Sequence, residues 1–399
     1  MKSTATEGLS GLRTYRAVLE RRPVRVLLVI GVLGRIPSSA ALVTLTLHVV
    51  TGVGAGYATA GLVAAAATAG SALGAPLTGR LIDRRGVRTA VALTTATEAV
   101  FWLSAPWLPV PVLVMAVFVG GAAGLPITTI VRMSLSAATP VTQRRPVFAL
   151  DAVSTDLAYV LGPVVGVALV LHSSLLALWT LGAGWILTGV GLWLLNPSTA
   201  PSIRDSEDGR PRRGTWFDHR LAAVLAATAT AAMTAVATEL WLIASLESGG
   251  RSAAVPAMYG VWAVASAAGG FLYGVLPRLP GFFVLSLCLG ATTLPLALAD
   301  AWWSYIALLV PAGFCCAVPV VAGVERISVT SPAAVVGTAL GLHSSALTVG
   351  MAAGTPLAGL LIDATSPSTA IACVAAANIV ITAGAAAVAH GPTATTSHR

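Results

Sequence analysis

Gly74-Ala75-Pro76-Leu77-Thr78-Gly79-Arg80-Leu81-Ile82-Asp83 returns later in the chain as Gly354-Thr355-Pro356-Leu357-Ala358-Gly359-Leu360-Leu361-Ile362-Asp363, with most letters unchanged. Two fainter copies lie between them, Leu161-Gly162-Pro163-Val164-Val165-Gly166 and Gly269-Gly270-Phe271-Leu272-Tyr273-Gly274. Each copy sits inside a long apolar run, and alternate copies are half the chain apart. Related segments placed this way mark a membrane protein built from repeated helix groups. Such symmetry lets two half-bundles rock about a shared central site, which points to transport.

The chain is 56% hydrophobic and 10% charged, with a mean hydropathy of +0.86. So few charges cannot cover the apolar surface of a soluble protein of 399 residues, and the class is integral membrane. A span takes about 20 apolar residues. By that measure the sequence holds twelve: 24–50, 57–79, 89–108, 110–133, 148–171, 175–196, 221–246, 255–276, 281–299, 302–323, 335–361 and 368–389. They are helices, because open strands would leave unpaired backbone groups in lipid. Barrel strands would alternate polar and apolar residues, and these runs do not.

A net charge of +8 invites a nucleic-acid reading, but the positions oppose it. Nearly all basic residues fall in alternate loops: the N-terminus, Arg80 to Arg88, Arg132 with Arg144 and Arg145, Arg204 to Arg220, Arg278 and Arg326. The opposite loops hold Arg251 alone. This is the positive-inside pattern, and it places both termini in the cytoplasm and the chain in the cell membrane. The first 22 residues are too charged for a cleavable signal peptide. Leu9, Leu12, Tyr15 and Leu19 recur at helical spacing there, which fits either a short interfacial helix or a disordered tail. Trp102, Trp107, Trp241, Trp302 and Trp303 fall near outer span ends, as an aromatic belt would.

The stretch 196–220 mixes Pro, Ser and Gly with charges of both signs and reads as a linker. The expected organisation is a cytoplasmic segment 1–23, a six-helix bundle 24–196, a linker 197–220, a second six-helix bundle 221–389 and a tail 390–399. No metal spacing or disulfide framework joins Cys288, Cys315, Cys316 and Cys373, and no cofactor or metal is implied. The sequence has no phosphate-binding glycine loop and no catalytic cluster, so an ATP-driven pump or an enzyme is not expected.

After the second span, Gly79-Arg80-Leu81-Ile82-Asp83-Arg84-Arg85-Gly86-Val87-Arg88 resembles the loop motif G-x-L-x-D-R-x-G-R-R of the major facilitator superfamily. It matches at Gly79, Leu81, Asp83, Arg84, Gly86 and Arg88 and departs at Val87. Gly162-Pro163-x-x-Gly166 is similar to the antiporter motif of proton-coupled drug exporters in that superfamily, and departs at Ala158 and Val167. The resemblance implies a twelve-helix fold of two pseudo-symmetric six-helix bundles. It also implies that Asp83 latches onto the start of the eleventh span, closing the cytoplasmic side. Here the loop is read as a helix ending at 79–83 with Gly86 making the reversal. Gly162, Pro163 and Gly166, with Gly354, Pro356 and Gly359, read as a hinge or packing seam, the glycines of the fifth span being expected to pack against the other half. The exporter motif of the fourth span places an arginine ahead of glycine, but Val114 to Gly121 holds none. Arg35 is the candidate to replace that charge.

An ionisable side chain at bilayer depth costs at least ~2.5 kcal/mol, so each is a candidate site. Arg35, Glu98, Asp156 and Glu239 sit well inside spans. Arg35 and Asp156 come to similar depth on parallel helices and are expected to pair, with Glu98 within reach of both. The pair is either a structural tie or a gate. Glu239 has no basic neighbour in sequence, and it reads as a proton-coupling carboxylate, a contact for a cationic cargo, or a protonated group bonded to the backbone. His343 is either a packed group or a proton carrier. Spans one, four, seven and ten line the cavity by resemblance, offering Arg35, Thr44, Thr128, Thr129, Thr234, Glu239, Trp241 and Phe314.

The activity expected from all of this is secondary active transport by alternating access, as proton-coupled efflux of small hydrophobic compounds by a monomer. Its partners are the small-molecule substrate, protons and the bilayer, with no nucleic acid. Uptake of a metabolite by the same fold is the alternative. A scaffold protein is the alternative of another class.

Overall fold

The computed structural model describes residues 15–55, 57–197, 216–251, 254–276, 280–390 of the chain. Among them, 10 helical stretches are long and apolar enough to cross a membrane. The longest, Thr59–Trp107, is two helices merged across a turn at Gly86, and Phe282–Leu298 adds a shorter apolar helix. The described residues therefore form twelve helices: α1 Arg22–Leu47, α2 57–85, α3 87–104, α4 Val110–Ala138, α5 Arg144–His172, α6 Ser174–Leu195, α7 His219–Ser248, α8 Val255–Val275, α9 Phe282–Leu298, α10 Trp302–Thr330, α11 Val336–Ala364 and α12 Pro367–His390. They are nearly apolar all round because both lipid and neighbouring helices accept apolar faces. Val100, Leu171, Leu187, Val264 and Leu360 accordingly stand exposed on outer faces.

Several boundaries differ from the sequence reading. The second helix runs through Asp83 to residue 85 instead of ending at 79–83, and Gly86 alone reverses the chain with φ +80°. Only glycine adopts that backbone without strain. α1 closes with a π-helical turn, His48–Gly52. α4 is broken: Val110–Ala122 and Ile127–Ala138 are separated by four non-helical residues. Pro126 has no N–H to offer the Ala122 carbonyl, and that is why the helix stops there.

The chain divides into two compact units. The first holds Met1–Gly209 with Gly270–Leu279 and Val324–Thr348, and the second holds Arg210–Gly269, Pro280–Gly323 and Val349–Arg399. In the first, α1 packs along α5 and α6, α2 and α3 along α4, and α3 along α6. In the second, α12 packs on α7 and α9. A buried aromatic and aliphatic cluster of Trp241, Leu242, Met258, Leu296, Tyr305 and Leu309 fills its interior, with the Trp241 and Tyr305 rings stacked at 5.6 Å.

The four sequence repeats share one packing role. A methyl group added to the first glycine of each copy would run into a neighbouring helix: Gly74 into Ala122 of α4, Gly162 into Ser39 of α1, Gly269 into Phe314 of α10, and Gly354 into Met233 of α7. The pairs α2–α4 and α5–α1 in the first half thus become α8–α10 and α11–α7 in the second, each helix number raised by six. The repeat exists because these pairs bring backbone against backbone, which side chains larger than hydrogen prevent. Gly166 continues the α5–α1 seam against Thr44, so this seam joins two helices of the first half where packing against the other half was expected, and Gly359 meets Leu240 only at an ordinary 3.8 Å. Gly269→Val places its bulk against the Phe314 backbone, which has no room to yield. A loss of ~1–3 kcal/mol is expected, seen as a lower melting temperature in detergent. Gly61, which meets nothing within 4 Å, is the control site.

Candidate functional site

The densest charge cluster lies inside the first unit, where α1, α4 and α5 meet. Asp151 is held between two arginines. Its Oδ1 accepts from Arg35 Nη2 at 2.6 Å, and its Oδ2 accepts from Arg132 Nε at 3.0 Å. Arg35 Nη1 also donates to Ser154 Oγ at 3.0 Å, and Ser154 Oγ donates to the Asp151 carbonyl at 2.7 Å. The three charged side chains are 3%, 6% and 1% exposed for Arg35, Arg132 and Asp151. One carboxylate facing two guanidiniums leaves a net positive charge, buried and held by directional bonds.

This corrects the expected pairing. Arg35 bonds Asp151, not Asp156. Asp156 lies five residues further along α5 and is exposed. At 100° per residue that step carries it off the face that meets α1. Arg132, at the end of the expected span 110–133 but grouped with the loop arginines, lies inside, because α4 extends to Ala138 and its broken lower half turns Arg132 inward. The fourth helix therefore does carry an arginine, later in the helix than the exporter motif would put it.

Glu98 does not join the cluster. It is 6% exposed on α3, and its Oε2 accepts from Trp102 Nε1 at 2.7 Å. It also takes the backbone N–H of Leu125, inside the break of α4. The carboxylate thus fills the gap that Pro126 opens in α4. Glu98→Ala leaves the buried Trp102 and Leu125 donors unpaired. The expected loss is ~1–3 kcal/mol, read from thermal unfolding, while Glu98→Gln keeps an acceptor and loses less.

In the second unit Glu239 is half-buried on α7, within hydrogen-bonding reach of Tyr259 on α8. His343 on α11 is fully buried. Several residues expected to line a cavity are instead packed inside helix contacts. Thr44 and Thr234 are 0% exposed, Thr129 is 3% and Trp241 is 1%. Trp241 and Trp102 are also not belt residues, unlike Trp107, Trp302 and Trp303 at 67%, 65% and 63% exposed.

A second constellation stands at the end of the helices that carries the arginine-rich turns. Asp83 on α2 accepts three hydrogen bonds from the first turn of α11: Gly337 N–H at 3.1 Å, Thr338 N–H at 2.8 Å and the Thr338 hydroxyl at 2.6 Å. The carboxylate takes two backbone donors that a helix start leaves unpaired, at the positive end of the dipole. Behind it α2 lies tight on α11. Gly79 and Ala75 leave no space for a Cβ on their partners Gly337 and Gly341, and Ser345 Oγ donates to the Ala72 carbonyl at 2.7 Å. Leu81 is part-buried and Arg84 exposed, while Arg88 Nε donates to the Trp193 carbonyl at 3.3 Å and lies over its ring.

Beside this, Glu325 on α10 accepts from Arg145 Nε at 3.2 Å and from the Tyr273 hydroxyl at 2.6 Å, and Arg144 Nη1 donates to the Ser328 carbonyl at 3.1 Å. The reading missed Asp151, Tyr273 and Glu325. Asp151 and Glu325 lie near span ends, where a charge excites no suspicion. Only the length of the helices, longer than the bilayer minimum, brings them into contact range.

The family model described as Major Facilitator Superfamily matches residues 27–281. No curated protein sequence matches the chain. Among solved structures, a bacterial homologue of the iron transporter ferroportin in its outward-facing state is similar, with a TM-score of 0.71 and 14% identity over 92% of this chain and 100% of that one. The human organic anion transporter TETRAN gives 0.69 and 16%, covering 92% and 100%. The E. coli fucose:proton symporter FucP gives 0.68 and 16%, covering 91% and 98%. At these identities the likeness is one of fold.

Proposed function

The chain belongs to the Major Facilitator Superfamily, and from that membership we propose that it is a secondary active transporter working by alternating access, exporting small hydrophobic compounds from the cell in exchange for protons. The observation that carries the reading is the Asp83 clasp on the first turn of α11. It is a contact of three hydrogen bonds on a part-buried carboxylate. Water can replace each bond when the helices part. A permanent joint would be built otherwise.

In this reading the arginine-rich turns face the cytoplasm, both termini lie there, and the protein acts as a monomer in the cell membrane. Two six-helix bundles, 24–196 and 221–389, move as lobes about the linker 197–220. The Arg35–Asp151–Arg132 cluster keeps α1, α4 and α5 together as one body during that motion. Glu239 and Asp156 are the groups left to take and release protons. Asp156 stands exposed on α5, and Glu239 has the Tyr259 phenol as its neighbour and no ion pair among the described residues. The scarcity of fixed charge elsewhere in the spans favours apolar cargo over sugars, which need many aligned hydrogen-bonding groups.

The test is flux in proteoliposomes under an imposed pH gradient, with lipophilic fluorescent cations and neutral dyes as probes. Protons moving down their gradient should drive the probe the other way. Accumulation in the same direction as the protons makes the protein a symporter, and no flux with any probe removes the hydrophobic-cargo reading. Glu239→Gln is expected to keep downhill exchange and to lose accumulation against a gradient, with a flattened pH profile. Uphill transport with an unchanged profile excludes Glu239 as the coupling site.

A further inference from the structure

The third repeat copy does more than pack α8 on α10. Its Phe271 and Gly274 form the seat of Tyr15, a residue from the segment ahead of α1. The Tyr15 hydroxyl donates to the Phe271 carbonyl at 2.5 Å. The two rings stack, with centroids 4.4 Å apart and planes 11° from parallel. Directly beneath, Gly274 leaves the space that the phenol tip occupies. A methyl there would collide with the Tyr15 oxygen and press on Ala149 of α5 at 2.7 Å. Tyr15 is 4% and Val18 0% exposed, while the residues between and after them are exposed. The segment is therefore anchored by one face only. Its chain neighbour Arg21 reaches back toward the Ala138 carbonyl at the end of α4.

We propose that residues 15–21 are a strap that fastens the end of α8 to the end of α4, and that it must release Phe271 each time the arginine-rich end of the helices opens. The proposal rests on the alternating-access reading for its purpose but not for its geometry. Tyrosine is the residue the seat requires. The ring supplies the stack, the hydroxyl reaches a backbone carbonyl, and the missing side chain of Gly274 admits both. The opposite face of the same α8 turn is held by Tyr273, which donates to Glu325 beside Arg145. The end of α8 is thus gripped from two sides, once by the strap and once by a charge-assisted network. Both grips are made of bonds that water can replace, as a reversible closure needs.

The experiment measures distance, so it does not depend on knowing the cargo. Cys288, Cys315, Cys316 and Cys373 are replaced by serine, and spin labels are placed at Arg85 in the α2–α3 turn and at Leu276 past α8, both exposed. Pulsed electron resonance then gives the share of molecules with the longer separation. Tyr15→Ala should raise that share about 10-fold, from the loss of one hydrogen bond and one aromatic stack. Tyr15→Phe keeps the stack and should raise it about 3-fold. Gly274→Ala attacks the same contact from the other side and should act like Tyr15→Ala. Wild-type distance distributions in both Tyr15→Ala and Gly274→Ala would overturn the strap. Longer distances in a protein that moves no probe in vesicles would leave the strap standing and remove the transport reading.

Discussion

Asp151→Asn should produce the largest loss of any single change in this protein. The substitution keeps the shape of the side chain and removes its charge. Arg35 and Arg132 would then face each other in a site where the arginines are 3% and 6% exposed, with no anion between them. Breaking a buried ion pair by removing one partner costs ~3–5 kcal/mol, because the charge left behind has no water to turn to. Here two charges are left. Against a typical stability of ~5–15 kcal/mol, such a loss lowers the yield of folded protein sharply. Fluorescence-detected gel filtration and thermal unfolding in detergent would show it. The companion variant Asp151→Asn with Arg132→Gln removes one arginine charge as well and should recover part of the loss. If Asp151→Asn melts with the wild type, the cluster is not what joins α1, α4 and α5.

Asp83→Ala is expected to have the next largest effect, and of another kind. The lobes stay folded, but the first turn of α11 loses its acceptor. Hydrogen bonds to a charged group contribute ~1.5–3 kcal/mol each and do not add fully, and the helix dipole adds ~0.3–1 kcal/mol. A net change of about 3 kcal/mol shifts the closed state by on the order of 100-fold. Amide hydrogen exchange at Gly337 and Thr338 reads this directly and should speed up by that order. Asp83→Asn, which keeps one oxygen and loses the charge, should fall between. Unchanged protection of those two amides in Asp83→Ala would mean that the contact does not hold this end closed. The melting temperature should move little, which separates this variant from Asp151→Asn.

The two cases also mark how far the sequence could be read. The Asp83 contact was offered only by the resemblance of its loop to a family motif, and its partners are backbone N–H groups at a helix start. Any helix offers those, so a motif can specify the contact without specifying the partner's side chain. Asp151 was not legible. Its partners are two side chains, 116 and 19 residues away. Depth counted along ideal spans chose Asp156 instead, five residues too far. The error has a physical source. Depth fixes a position along the helix axis, whereas pairing depends on the direction around it, and direction shifts by 100° with every residue. Arg132 was misplaced for a related reason. It falls in the last turn of the span 110–133 and was counted with the loop arginines, whereas the helix continues to Ala138 and carries it inside.

Glu98 teaches the same lesson through the backbone. It is buried, but its partners come from a break in α4 and from an indole one turn away. Pro126 was the available signal. A proline in an apolar run frees a carbonyl, and a nearby buried carboxylate can serve the N–H groups at the other lip of the gap.

Membrane class, twelve helices and the fourfold repeat of a glycine-bearing segment followed from the order of residues alone, because the bilayer imposes length and apolarity on each span separately and needs no partner to do so. Which arginine meets which aspartate, which threonines are packed away, and where Tyr15 comes to rest were decided only when the helices assembled. Those contacts depend on rotation about helix axes and on breaks in the backbone, and a linear pattern carries neither.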